Sequence, residues 1–183
     1  MQRTYKTEGV ILRRTNYGEA DKLLVIYSKH YGKIKVVAKG IRRPTSRKGG
    51  NLELFNRVII NLVKGHNLDL ITEAVVEDTY KYWRNDLKKV TLAYYFCELI
   101  DKLTPEEQAN LEVYELITAS LGNIGKLNAK VQVRSFEQRL LEQLGFGVPE
   151  NLKKSPDSLR PYIESIIEKK ITSPKILRDL YAK

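Results

Sequence analysis

Gly32 to Lys48 reads GKIKVVAKGIRRPTSRK, an alternating stretch that runs into a loop where nearly every other residue is a cation. Ile34, Val36 and Ala38 fall on one side of a strand, while Lys33, Lys35 and Lys39, with Val37 among them, fall on the other. One face packs and the other carries charge. The chain then leaves the sheet at Gly40. It takes Arg42, Arg43, Arg47 and Lys48 through a segment broken by Pro44 and closed by Gly49 and Gly50, which is expected to stay extended and mobile. No acidic residue lies between Lys33 and Lys48. A cationic strand face beside a flexible cationic loop suits a polyphosphate backbone, because released counterions give affinity without a fixed order of contacts. Lysines alone would read equally well as charges that block an edge strand. The adjoining arginines favour a nucleic-acid surface.

Strand patterns lie on both sides of this stretch. Tyr5 to Thr15 carries Val10, Ile11 and Leu12 and ends at a turn through Asn16, Tyr17 and Gly18. Lys22 to Ser28 is nearly continuous in apolar residues, the pattern of a strand buried on both faces, and His30 to Gly32 turns into the basic strand. Leu52 to Val63 is the longest expected strand, with Leu52, Leu54, Val58, Ile60 and Leu62 inward and Phe55, Arg57 and Ile59 on the other face. Leu68 to Val76 follows, with Leu68, Leu70, Ala74 and Val76 inward. Five short strands with tight turns predict a small closed or nearly closed antiparallel barrel, an arrangement without exposed edges.

Beyond Thr79 the period changes to that of helices. Val90, Ala93, Tyr94, Cys97 and Ile100 predict a helix over Leu87–Leu103. Thr104, Pro105 and Glu107 occupy the N-cap, first-turn and capping-box positions of a second, striped by Val113, Tyr114, Ile117 and Leu121. A third is expected over 129–144 with Gly145 as its cap, a fourth opening at Ser155, and a short last one opening at Ser173. The predicted class is therefore α+β, strands first and helices after. The expected domains are residues 1–78 and 79–183.

Composition narrows the function. The chain of 183 residues has formal charge +10; through Glu77 there are 15 Lys and Arg against 7 Asp and Glu, so most of the excess sits in the strand half. A basic module of this kind binds nucleic acid or an anionic membrane. No helix pairs a basic face with bulky apolar residues, which favours nucleic acid. Cys97 is the single cysteine; it excludes an internal disulfide framework and a Cys-rich zinc site, and its apolar helical setting predicts a buried structural thiol. There is no apolar run of membrane-spanning length and no signal-peptide core in the opening MQRTYKTEG, so a cytoplasmic location is expected.

Gly9 to Arg43, GVILRRTNYGEADKLLVIYSKHYGKIKVVAKGIRR, resembles the N-terminal signature of the bacterial RecO family of recombination and repair mediators, in the turn with Tyr17, Gly18 and Glu19 and in the run Tyr31 to Gly40. Weaker matches follow at Ser46 to Phe55, at Leu140 to Gly147 and in the closing helices. The resemblance implies an OB-fold (oligonucleotide-binding) barrel joined to an α-helical bundle domain. It implies no enzymatic activity, binding of single- and double-stranded DNA, and annealing of complementary strands. Partners would be RecR and the C-terminal tail of single-stranded-DNA-binding protein, with RecA loaded indirectly. Many family members carry a four-cysteine zinc module after the segment corresponding to Gly145–Pro149; here no cysteine occurs between that segment and Leu159, so the module is absent and no metal or other cofactor is expected.

Candidate phosphate contacts are Arg13, Arg14, Lys33, Lys35, Lys39, Arg42, Arg43, Arg47, Lys48 and Arg57, with Tyr17, Tyr31 or Phe55 as base-stacking platforms. Arg13 and Arg14 face opposite sides of a strand unless a bulge intervenes. A partner tail, acidic with an apolar tip, would need an apolar pocket near Lys126, Lys130, Arg134 or Arg139. Two other readings stand beside DNA repair. An RNA-binding barrel uses the same basic strand. A metal-dependent nuclease would need Glu8, Glu19 and Asp21 to converge, which their spacing does not require. His30 and His66 accompany no nucleophile motif, and there is no phosphate-binding GxxxxGK[ST] loop.

Overall fold

The computed structural model of the chain describes residues 4–43, 46, 49–155 and 157–173. Five strands open the chain: β1 Thr4–Tyr17, β2 Asp21–Ser28, β3 Gly32–Ala38, β4 Arg57–Val63 and β5 Asp69–Asp78. They close a barrel in the order β1-β2-β3-β5-β4, with β4 returning to β1. All pairings are antiparallel except β3 with β5. This closed five-stranded arrangement is the OB-fold. The alternating residues of β3 and β4 meet inside: Ile34, Val36, Ala38, Val58, Ile60 and Leu62 join Ile11, Leu24, Ile26 and Ile71 in one apolar cluster. On β2 the alternate residues Val25 and Tyr27 are buried as well, which explains its unbroken apolar run.

Bulges account for departures from alternation on β1 and β5, whereas on β3 Val37 and Lys33 are buried without one. Leu12 is the extra residue between the pairs Ile11↔Ile26 and Arg13↔Val25. On β5, Thr72 is skipped between Asn61↔Glu73 and Leu62↔Ile71, so Ile71 rather than Leu70 faces the core while Ala74 and Val76 keep the expected side. The longest strand is β1, with 14 residues, and the expected strand from Leu52 begins only at Arg57. Residues 51–55 form turns instead. There Asn56 donates its amide to Asn51 O at 2.8 Å, and Leu52 fills the barrel.

After a single 3-10 turn, Lys81–Trp83, come α1 Leu87–Leu103, α2 Leu111–Asn123, α3 Ala129–Gln143, α4 Glu150–Lys153 and α5 Arg160–Ile167. The Asp86 carboxylate caps α1 by accepting from Lys88 N at 3.0 Å and Lys89 N at 3.3 Å. The buried face of α1 is Leu92, Phe96, Leu99 and Leu103 with Ala93, Cys97 and Ile100, whereas the expected stripe residue Tyr94 is exposed. Burial pushes the Cys97 thiol well up, as suits an inert packing residue. Phe96 stacks on Phe136 of α3 with centroids 4.2 Å apart, and Trp83 Nε1 donates to Leu121 O at 3.0 Å.

The second helix starts six residues later than its capping-box signal places it. Thr104 ends α1 by donating its hydroxyl to Ile100 O at 2.6 Å, and Asn110 caps α2, its side chain accepting from Val113 N at 3.1 Å. The residues between them run without helix. Two compact units result, residues 1–79 with 105–114 and residues 80–104 with 115–183, so the segment that periodicity places among the helices groups with the barrel. The expected helix from Ser173 lies outside the described residues. No helix among the described residues is long and apolar enough to cross a membrane.

Candidate nucleic-acid interface

Two loops are tied together at one end of the barrel. The β1–β2 turn presents Asp21, whose carboxylate accepts from Gly40 N at 2.7 Å, and Ala20, whose carbonyl accepts from Arg42 N at 2.9 Å. Gly40 turns the chain at φ 66, a conformation that disfavours a side chain, and Ile41 then drops into the barrel core. In place of the extended segment that its composition predicts, the described part is folded back by bonds from Arg43 N to Gly40 O at 3.1 Å and from Ser46 N to Arg43 O at 2.9 Å. The cause is Ile41, an apolar residue whose burial anchors the loop. Arg42 and Arg43 are left exposed with Lys39, beside Tyr17, which is 48% exposed. Arg42 Nη1 reaches Gly18 O at 3.4 Å, and among the described residues no carboxylate pairs with Lys39, Arg42 or Arg43. Pro44, Thr45, Arg47 and Lys48 lie outside the described residues.

The start of β3 has a different environment. Lys33 is 7% exposed, its carbonyl accepts from Glu107 N at 2.9 Å, and it forms an isolated parallel bridge with Glu106. Lys35 is exposed and ion-paired with Glu106. The hydrogen bond from Lys35, with the charge of Lys33 behind it, holds the Glu106 carboxyl below its ordinary value. Tyr31, 41% exposed, meets Tyr5 edge-on at 4.7 Å, and Tyr5 Oη donates to Asp69 at 2.5 Å. Burial, then this bond to a carboxylate, push the Tyr5 phenol up. Desolvation also pushes Asp69 up, but the bonds from Tyr5, Gly65 N and Lys64 outweigh it and hold that carboxyl below its ordinary value. Lys64 stands 4.9 Å from the Tyr5 ring centre, and a cavity of about 290 Å³ opens among these groups.

The ten nominated cations thus do not form one patch. The bulge at Leu12 separates the neighbouring arginines: Arg13, in line with Val25 and Lys35 across the sheet, is exposed, while Arg14 turns to an ion pair with Glu53. Arg57 lies 3.4 Å from Glu8. Phe55 is 3% exposed, buried at φ 70 with its amide on Ile11 O at 3.0 Å, so the expectation of a stacking platform there is corrected. Sequence reasoning also misses Lys64 and the Glu106–Glu107 segment, where local rules make Glu107 part of a capping box. Among the described residues no three His, Cys, Asp or Glu side chains gather to hold a metal, and Glu8, Glu19 and Asp21 do not converge.

In the helical unit a cavity of about 180 Å³ lies between α2 and α3, lined by Leu116, Leu127, Val131, Phe136 and Arg139. Leu127 and Val131 stay exposed beside it. Arg134 is committed elsewhere, since its guanidinium donates to Leu152 O at 2.7 Å and Ser155 O at 3.1 Å and so holds the end of α4.

Comparison with known proteins follows the order of strands first and helices after. Residues 1–80 match the family model Recombination protein O N terminal, and residues 84–151 match Recombination protein O C terminal. A DNA repair protein RecO of Roseiflexus sp. (strain RS-1) is 37% identical over 148 residues, covering 79% of this chain and 51% of the relative. One of Symbiobacterium thermophilum is 35% identical over 144 residues, covering 78% of this chain and 57% of the relative. The chain spans about half the length of the curated relatives it matches. With a closed OB barrel under the first match and helices under the second, this chain belongs to the RecO family.

Proposed function

We propose that this protein is a DNA repair and recombination mediator that binds DNA at the joined loops of its barrel and brings complementary strands together. The observation that carries the reading is the cluster of Lys39, Arg42 and Arg43 beside exposed Tyr17, held by Asp21 and Ile41 and left without carboxylate partners among the described residues. Such a cluster neutralises phosphates while the tyrosine offers a face for a base. Arg47 and Lys48 extend the charge along the chain, and Arg13 adds to it from β1. Neutralising two strands lowers their mutual repulsion, which is what annealing requires. The reading assigns no catalytic residue and places the work in the cytoplasm, with RecR as co-mediator and RecA loading as its outcome.

The cavity between α2 and α3 suits the C-terminal tail of single-stranded-DNA-binding protein, an acidic peptide with an apolar tip: Leu127 and Val131 would take the tip and Arg139 the carboxylate. The test is annealing of complementary oligonucleotides, bare and coated with that protein. Replacing Lys39, Arg42 and Arg43 by Ala should slow both reactions, and Leu127→Ser should slow only the coated one. Equal annealing by the triple variant would refute the loop as the site, and a stronger response to matched RNA strands would favour the RNA-binding reading.

A further inference from the structure

We infer that the start of β3, from Tyr31 to Lys35, is a second surface for a single-stranded polyphosphate chain, and that residues 105–108 are an acidic strap occupying it. The inference rests on the nucleic-acid reading of the barrel. β3 pairs with β2 along its whole length but meets β5 only at Val36↔Asp69 and Val37↔Leu70, so Gly32 to Lys35 has one edge without a strand neighbour. The strap takes that edge through the bridge Lys33↔Glu106, and Glu107 N donates to Lys33 O at 2.9 Å. The fit is close: a Cβ on Gly32 would lie 2.0 Å from Gln108 O.

Charge makes the strap resemble what it displaces. Glu106 pairs with Lys35, and Glu107 follows beside the same cavity, so two carboxylates stand where phosphates of a bound strand would sit. Exposed Tyr31 borders the cavity as a face for a base, beside Lys64, which is itself paired with Asp69 at 3.1 Å. Glu107 holds φ 57, a left-handed conformation that disfavours a residue with a side chain, so the strap is seated with backbone strain. A peptide strand added to the same edge would want apolar pockets for alternate side chains. The rim here is mostly lysine, tyrosine and carboxylate, with Ile34 and Leu68 the two aliphatic residues in its lining.

The test measures binding of a fluorescent oligothymidylate to the full chain across salt concentrations. Glu106→Gln with Glu107→Gln should tighten binding several-fold and steepen the dependence of log K on log salt by about 1.4, for two phosphates newly placed on Lys33 and Lys35 at about 0.7 each. Adding Lys35→Ala should remove about half of that steepening. Glu73→Gln with Glu77→Gln, the same charge change at exposed β5 positions, should leave the slope unchanged. Equal gains from the two pairs, or no gain from the strap pair, would overturn the inference. Glu106→Gln alone, which spares the left-handed residue, gives the same direction with half the change and guards against a folding defect. If the triple loop variant is inert while the strap pair tightens, the loop reading fails and the strap stands; the reverse result condemns the strap alone, and no binding by either protein refutes both.

Discussion

Replacing Lys39, Arg42 and Arg43 together by Ala removes three exposed charges while leaving the loop's anchors in place. The bonds from Gly40 N to Asp21 and from Arg42 N to Ala20 O involve main-chain donors, and Ile41 keeps its place in the core. Exposed substitutions of this kind change stability by about 0.5 kcal/mol or less, so the melting temperature should scarcely move. Each phosphate contact on a single strand contributes about 0.7 to the slope of log K against log salt, so losing three should flatten it by about 2. Between about 50 and 200 mM salt, the affinity ratio of native to variant should then shrink roughly 20-fold. Fluorescence anisotropy with an oligothymidylate reads both slope and intercept. Tyr17→Leu supplies the contrast: a lost stacking partner costs about 1–3 kcal/mol without altering the slope. Parallel salt lines for the native chain and the triple variant would refute the argument that this loop holds phosphates.

Gly32→Ala should destabilise the barrel unit by about 2 kcal/mol or more, combining a left-handed conformation with a Cβ 2.0 Å from Gln108 O, and a melt of the variant checks it. Glu98 accepts from Thr172 N and Thr172 Oγ1, both at 2.7 Å, and pairs with Lys102 at 2.6 Å. Desolvation raises its pKa, but Lys102 and the bonds from Ser173 and Thr172 prevail and lower it from 4.5 to about 2. The folded form therefore favours the charged carboxylate, and its contribution, about 1–2 kcal/mol after discounting for solvent screening, is present above pH 4.5 and lost as pH falls towards about 2. Glu98→Gln should flatten that acid limb in denaturant titrations. Glu137 is fully buried and accepts from Tyr95 Oη at 2.5 Å, Ser158 Oγ at 2.5 Å and Leu159 N at 2.7 Å. Burial raises its pKa despite these bonds, so stability should fall as pH rises from 4.5 through the raised value. Glu137→Gln can keep its oxygen on Leu159 N and turn its amide to the two hydroxyls, which also accept, so the variant should lose this pH dependence in urea melts.

The barrel was legible because burial enforces period two. Ile34, Val36 and Ala38 on β3 and Val58, Ile60 and Leu62 on β4 could reach the core only by alternating, and they do. Ile71 and the Arg13–Arg14 pair show where such reading fails: a bulge inserts a residue and reverses the faces beyond it, and bulges leave little mark in composition. The segment after Thr104 failed for another reason. Thr104, Pro105 and Glu107 make a sound helix start by local rules, yet Thr104 closes the preceding helix and Glu107 N serves Lys33 O, a partner 74 residues earlier. Local signals cannot weigh a distant acceptor.

The same distant pairing decides how basic the barrel is where it matters. Counting charges along the sequence puts Lys33 and Lys35 in an unbroken cationic run with Lys39, Arg42 and Arg43. Folding spaces that run along β3, so that the four-residue step from Lys35 to Lys39 extends roughly 13 Å, more than the ~10 Å over which exposed charges act at moderate salt. Carboxylates answer the first pair through Glu106, while the loop cations stay unpaired among the described residues. Net charge draws a polyanion toward the molecule, but only the cations without internal partners can exchange counterions for phosphates. Affinity should therefore follow the loop's three described cations far more closely than the formal +10. Charge-neutralising changes at Arg14 or Arg57, already paired with Glu53 and Glu8, should alter DNA binding little beside the same change at Arg42.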